Sequence, residues 1–157
     1  FEYDWWEGTE IGGVRFEAVP TQHWSNRSGF DRNRTLWCSW VVEAVGRRLL
    51  FVGDSGYGPD YREIGERFAG FDLAILPIGA YNPRWFMKFA HQDPAEAAQA
   101  RRDLGARRAV ASHWGTFQLT LEPMDEPPQK LAQALAAAGE DADVFWVMQH
   151  GQTRNWG

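Results

Sequence analysis

The apolar run Leu49-Leu50-Phe51-Val52 stops at Gly53-Asp54-Ser55-Gly56-Tyr57. A near-continuous apolar strand is buried on both faces, so it demands a sheet with a packed layer on each side. Phe71-Asp72-Leu73-Ala74-Ile75-Leu76-Pro77 is a second such strand, and Val144-Phe145-Trp146-Val147-Met148 reads as the last. Glycines after Val52 let the backbone turn sharply. They put the Asp54 carboxylate at the carboxyl end of a strand, where α/β folds present ligands.

Segments of helical period lie between the strands. Residues 59–68 place Tyr61, Ile64 and Phe68 on one face, and residues 127–138 do so with Leu131 and Leu135 before Gly139. The helix between these two has a full start signal: Asp93 caps, Pro94 takes the first helical position and Glu96 the capping-box position. It runs to about Leu104, where Gly105 ends it. Val14 to Val19 alternates as a strand, residues 36–44 and 48–52 form a hairpin about Val45-Gly46-Arg47, and 108–112 is a further strand. Residues 25–34 read as polar loop. Residues 78–90, rich in rings and without a clean period, read as an ordered functional loop. This order predicts one α/β domain over residues 1–157, a mixed sheet with helices on one face. Three helices do not cover two faces, so the second face expects a partner layer.

At 157 residues one domain buries roughly 70% of the surface its unfolded chain exposes. A net charge of −5 lacks the basic footprint of nucleic-acid binders, so no nucleic-acid partner is expected. The lone Cys38 excludes an intramolecular disulfide framework and a multi-cysteine zinc site. No apolar stretch approaches the ~20 residues that span a bilayer. Of nine Trp and ten Phe, most are assigned to the core and the rest to an apolar-substrate pocket or a docking face. Phe1 in place of Met leads us to expect further residues upstream, where a signal peptide would lie.

Three histidines share the setting of Asp54, each where a structural element stops. They are His23 in Pro20-Thr21-Gln22-His23-Trp24-Ser25, His91 in Lys88-Phe89-Ala90-His91-Gln92-Asp93-Pro94, and His113 in Ser112-His113-Trp114-Gly115-Thr116-Phe117. Neutral imidazole and carboxylate are the usual N/O ligands of zinc, so the four make a metal site. Each has a plainer reading. A lone histidine after a strand is more often simply packed, and Asp before Ser-Gly often bonds its own backbone in a turn. His91, just ahead of a helix cap, could be a solvated loop residue. His150, after the last strand, reads as surface.

Together with Leu76-Pro77-Ile78-Gly79-Ala80-Tyr81-Asn82-Pro83-Arg84-Trp85-Phe86-Met87 and His91-Gln92-Asp93-Pro94-Ala95-Glu96-Ala97, these segments resemble, in order, the metallo-β-lactamase superfamily. The likeness is greatest to its N-acyl-phosphatidylethanolamine-hydrolysing phospholipase D branch and covers nearly the whole chain. The superfamily's His-x-His-x-Asp-His signature is absent, so the chain resembles the C-terminal half of such an enzyme, one half of an αββα sandwich. The resemblance implies two zinc ions in the complete enzyme. It makes His23 a ligand of the first, His113 a ligand of the second, and Asp54 the bridging carboxylate that also places the attacking hydroxide. It makes His91 a catalytic, non-ligating histidine that stabilises charge on the scissile phosphate. Arg84 either pairs with a phosphate bidentately or anchors its loop. Trp85, Phe86 and Met87 line an acyl groove or a lid.

The reaction so implied is zinc-dependent hydrolysis of a phosphodiester lipid of the N-acyl phosphatidylethanolamine type. A lactonase or a soluble phosphodiesterase would use the same site. A third reading is a non-catalytic half-chain that needs the half bearing the missing signature. The partners expected are that N-terminal half, a lipid or small phosphodiester substrate, a membrane surface met peripherally, and a second copy in a homo-oligomer. The expected compartment is the cytoplasm.

Overall fold

The computed structural model describes residues 2–156. Among these, seven strands form one sheet whose spatial order is the sequence order. They are β1 (Gly8–Ile11), β2 (Val14–Val19), β3 (Ser39–Ala44), β4 (Arg47–Phe51), β5 (Phe71–Pro77), β6 (Ala106–Ser112) and β7 (Phe145–Trp146). β1 to β4 form an antiparallel meander, and β4 to β7 are parallel. Each parallel pair is joined by a helical crossover: α1 (Asp60–Phe68), then α2 (Arg84–Met87) with α3 (Pro94–Asp103), then α4 (Glu126–Ala137). Crossovers of the single hand that twisted strands favour put α1, α3 and α4 on one face. There α3 packs against both α1 and α4.

Register separates the two faces. Val41, Leu50, Ala74, Ala109 and Phe145 stand side by side across five strands, in one buried cluster with Ile64, Ala97 and Leu131 of the helices. The adjacent row, Trp40, Phe51, Ile75 and Val110, points the other way, because side chains alternate along a strand. It lies opposite the three helices. The Tyr3 ring leans on Trp40, whereas Phe51 is 47% exposed. The mixed sheet with helices on one face is therefore as the sequence predicts.

Four elements depart from expectation. β1 carries too short and polar a sequence to show a period, and its pairing with β2 makes it a strand. Inside the stretch read as loop, α2 forms a single turn, closed by Phe86 N and Met87 N donating to the Pro83 carbonyl. β3 begins at Ser39 rather than Leu36, because its partner β2 ends at Val19, opposite Ser39. β7 is two residues long, since residues 142–144 first wind into a 3-10 turn.

Candidate active site

β2, β4, β5 and β6 all run in one direction, so their carboxyl ends share one edge of the sheet. His23 lies just past β2, Asp54 just past β4, and His113 directly after β6. His91 lies between α2 and α3, in the crossover that leaves β5. The structure brings all four together around the Asp54 carboxylate. His113 Nε2 stands 3.2 Å from Asp54 Oδ1, and His23 Nε2 stands 3.9 Å from Oδ2. The His91 ring centroid is 5.4 Å from that of His23 and 5.3 Å from that of His113. Asp54 thus offers one oxygen to each of two histidines. His23, Asp54 and His91 each offer a ligand atom, all within 4.8 Å of one another. His91 therefore lies within reach of the same carboxylate as the two histidines assigned to metal.

Protonation follows from the hydrogen bonds. His23 Nδ1 is 2.9 Å from the Trp24 carbonyl, which only accepts, so Nδ1 carries the proton. Its Nε2 is left with a lone pair on the Asp54 side, as when a carbonyl fixes the tautomer of a metal-binding imidazole. Among the described residues, His23 Nε2, His91 Nδ1 and His113 Nδ1 are buried without a hydrogen-bond partner. Burial pushes His91 down to about 4, with the neighbouring histidines adding to the effect and Asp54 opposing it. The ring is neutral at physiological pH. Orphaned imidazole nitrogens beside a carboxylate are the N/O donor set of a zinc-class ion, and buried polar atoms rarely go unpaired without such a reason. The residues fit the metal.

Backbone constraint keeps the edge tight. His113 has φ 58, a left-handed conformation that a non-glycine residue holds only under tertiary control. Opposite it, a Cβ on Gly79 would collide with the His113 carbonyl oxygen, so a side chain there would push the strand ends apart. Arg84 is an anchor rather than a free phosphate clamp. It donates to the His91 carbonyl at 2.8 Å and to Glu96 Oε2 at 2.6 Å. Three residues that the sequence did not single out support the edge. Buried Glu122 accepts from the backbone nitrogens of Tyr81 (3.2 Å) and Asn82 (3.0 Å) and from Thr120 Oγ1 (2.7 Å). Burial pushes its carboxyl up, and those bonds more than offset it, holding it below the usual range. Gln22 and Gln92 are the other two. His150 is exposed, with Nε2 3.3 Å from Thr116 Oγ1. Trp85, Phe86 and Phe89 are exposed beside the site, as are Phe117, Leu119 and Leu121 on the segment after His113.

Comparison with known proteins identifies the family. Residues 1–114 match the family described as beta-lactamase superfamily domain. The chain is 38% identical over 152 residues to N-acyl-phosphatidylethanolamine-hydrolyzing phospholipase D 1 of Caenorhabditis elegans, covering 93% of this chain and 43% of that protein. It is 40% identical over 159 residues to the mitochondrial N-acyl-phosphatidylethanolamine-hydrolyzing phospholipase D of Saccharomyces cerevisiae, covering 97% of this chain and 34% of that protein. The chain spans less than half the length of these relatives. A metallo hydrolase from the archaeon Ignicoccus hospitalis shares the fold, with a TM-score of 0.69 at 21% identity over 96% of this chain and 57% of that one. On these grounds the chain belongs to the metallo-β-lactamase superfamily.

Proposed function

We propose that the complete protein is a zinc-dependent hydrolase of phosphodiester lipids. In this reading the present chain supplies one half of the metal site, and the other half of the sandwich covers the helix-free sheet face. The observation that carries it is the Asp54 carboxylate with one oxygen toward His113 and the other toward His23, each histidine keeping a buried nitrogen without a partner. His23 would hold one ion, His113 the second, and Asp54 would reach both. When bound, such ions act as Lewis acids and lower the pKa of a coordinated water to ~7. His91 stays outside the ligand set. Its neutral ring donates to a phosphate oxygen, where charge develops as the diester opens.

Two observations favour a lipid substrate. The curated relatives of C. elegans and S. cerevisiae bear names that specify an N-acylated phosphatidylethanolamine. Exposed Trp85, Phe86 and Phe89, with Phe117, Leu119 and Leu121, form an apolar rim suited to acyl chains or a membrane surface. The two segments adjoin, since Leu121 N donates to the Asn82 carbonyl. A lactone or a soluble diester would meet the same polar donors and leave that rim unused. Among the described residues no helix is long and apolar enough to cross a membrane.

The test is zinc content measured beside turnover of N-acyl phosphatidylethanolamine and of a soluble aryl phosphodiester, in the intact polypeptide. Asp54→Ala should lose metal and turnover together. His91→Ala should keep its metal and lose ~10²–10³-fold in kcat, the usual cost of removing one donor to a developing oxyanion. Metal loss in His91→Ala as complete as in Asp54→Ala would make His91 a ligand and end the division of roles.

A further inference from the structure

Gln92 is the most deeply buried polar side chain next to the site, at 0% exposure, and it makes no contact with the reacting edge that the preceding roles require. Its backbone nitrogen donates to the Ser55 carbonyl at 2.8 Å, in the turn that carries Asp54. Its side-chain Nε2 donates to the Pro77 carbonyl at 3.0 Å, at the last residue of β5. Gln22, the residue before His23, completes the set. Its carbonyl accepts from Gly56 N at 2.9 Å, and its Nε2 donates to the Phe89 carbonyl at 2.9 Å. Gly56 lies where these segments touch. A Cβ there would collide with the Phe89 carbonyl and crowd the Gln22 amide, so only glycine allows the approach.

We infer that Gln92 and Gln22 are positioning residues: the Gln92 amide ties the His91 segment to the end of β5, the Gln22 amide ties it to the turn bearing His23, and together they set the His91 ring against the Asp54 carboxylate. The inference rests on the proposed role of His91. The alternative, that the two glutamines only add stability, is weakened by the chemistry of Gln92. Its Oε1 is buried without a partner, so the side chain carries an unpaid desolvation cost that a methionine of the same length would not. A residue kept for stability alone has little reason to be glutamine. A displacement of ~1 Å at a reacting group can cost about 10²-fold in rate, so a brace of two amide bonds is enough to matter.

With the intact protein labelled at histidine and the His91 and His150 imidazole signals identified by single substitution, both can be followed by NMR. Gln92→Met and the double variant with Gln22→Met should shift or broaden the His91 ring signals while those of His150 stay in place. The thermal midpoint should move no more than in Leu131→Val, a core change on α4. In kinetics, Gln92→Met should lower kcat at least tenfold, with KM and zinc content within twofold of the parent, and the double variant should lose more. Unshifted His91 signals in both variants would overturn the inference, as would an equal kcat loss in Leu131→Val. The NMR arm needs no substrate. Absence of phosphodiester turnover in the parent would therefore defeat the proposed function and leave the brace to be judged on the His91 signals alone.

Discussion

The two ends of the sheet treat their polar groups in opposite ways. At the amino end of the parallel strands, charge is matched. Arg48 donates to Glu43 at 2.6 Å and to the carbonyls of Phe68 and Gly70, while Asp72 accepts from Arg48 N at 2.9 Å and Arg47 at 3.1 Å. A cleft of about 530 Å³ opens there, lined by these paired groups and by no histidine. At the carboxyl end, three histidine nitrogens are buried without partners and His113 holds a left-handed backbone. A fold keeps unsatisfied polar groups where a ligand completes them and pairs its charges elsewhere. The end with paired charges is thus the structural one, and the edge with orphaned imidazoles is the chemical one.

The largest effects should come from exchanging the roles of two aspartates. Asp54→Ala should cost more than ~100-fold in turnover yet barely move the thermal midpoint of metal-stripped protein. Asp72→Ala should leave turnover within twofold and lose about 1–3 kcal/mol of stability, because it strands the Arg48 amide and two arginines. Equal midpoint shifts in the two stripped variants would break the contrast between the ends. Acid titration sharpens it. The Arg48 amide above all, and then Arg47, hold the Asp72 carboxyl below its ordinary range. Its stabilisation is present above the usual carboxylate pKa and fades as pH falls through the lowered value.

A smaller effect belongs to His91. Its ring titrates at about 4 in the folded chain, against about 6.5 when unfolded. Between those values the unfolded state binds more protons, so stability rises with pH across the window and is fully present above 6.5. In metal-stripped protein, denaturant midpoints at pH 7.5 and 5 should differ more for the parent than for His91→Gln. The difference should be on the order of 1 kcal/mol, reduced because solvent reaches part of the ring. A variant with the same pH slope as the parent would assign the effect to other groups.

The smallest effect lies farthest from the chemistry. The β3–β4 hairpin turns through Val45 at φ 47 and Gly46 at φ 73, and Val45 is 96% exposed. A β-branched residue is strained there, whereas Asn-Gly suits such a turn. Val45→Asn should add about 0.5–1 kcal/mol with kcat and metal content unchanged. Any loss of turnover would mean that the two ends communicate.

Much of the candidate site was legible because its residues stand where local patterns stop. The apolar runs locate the ends of β4 and β6, and so place Asp54 and His113. The capping box forms as read, Asp93 Oδ1 accepting from Glu96 N at 2.9 Å and Glu96 Oε2 from Asp93 N at 3.0 Å. Arg84 was open between two roles, because nothing within its own segment shows that Glu96 and the His91 carbonyl take its guanidinium. Gln22 and Gln92 stood inside quoted motifs without a role of their own, and Glu122 drew no reading. A buried amide or carboxylate in a loop has no period, and its partners lie on other segments.

Local pattern along the chain was enough for the six strands β2 to β7, for α1, α3 and α4 on one face, and for His23, Asp54 and His113 at element ends. Periodicity, caps and turn residues are properties of neighbours along the chain, and they act before any long-range contact exists. Only the tertiary structure decided that Asp54 turns one oxygen to His113 and the other to His23, that His91 joins them, and that Trp40, Phe51, Ile75 and Val110 share a helix-free face. Those facts depend on strand register and crossover hand. They bring together groups tens of residues apart, and a one-residue slip of register would turn each side chain to the opposite face.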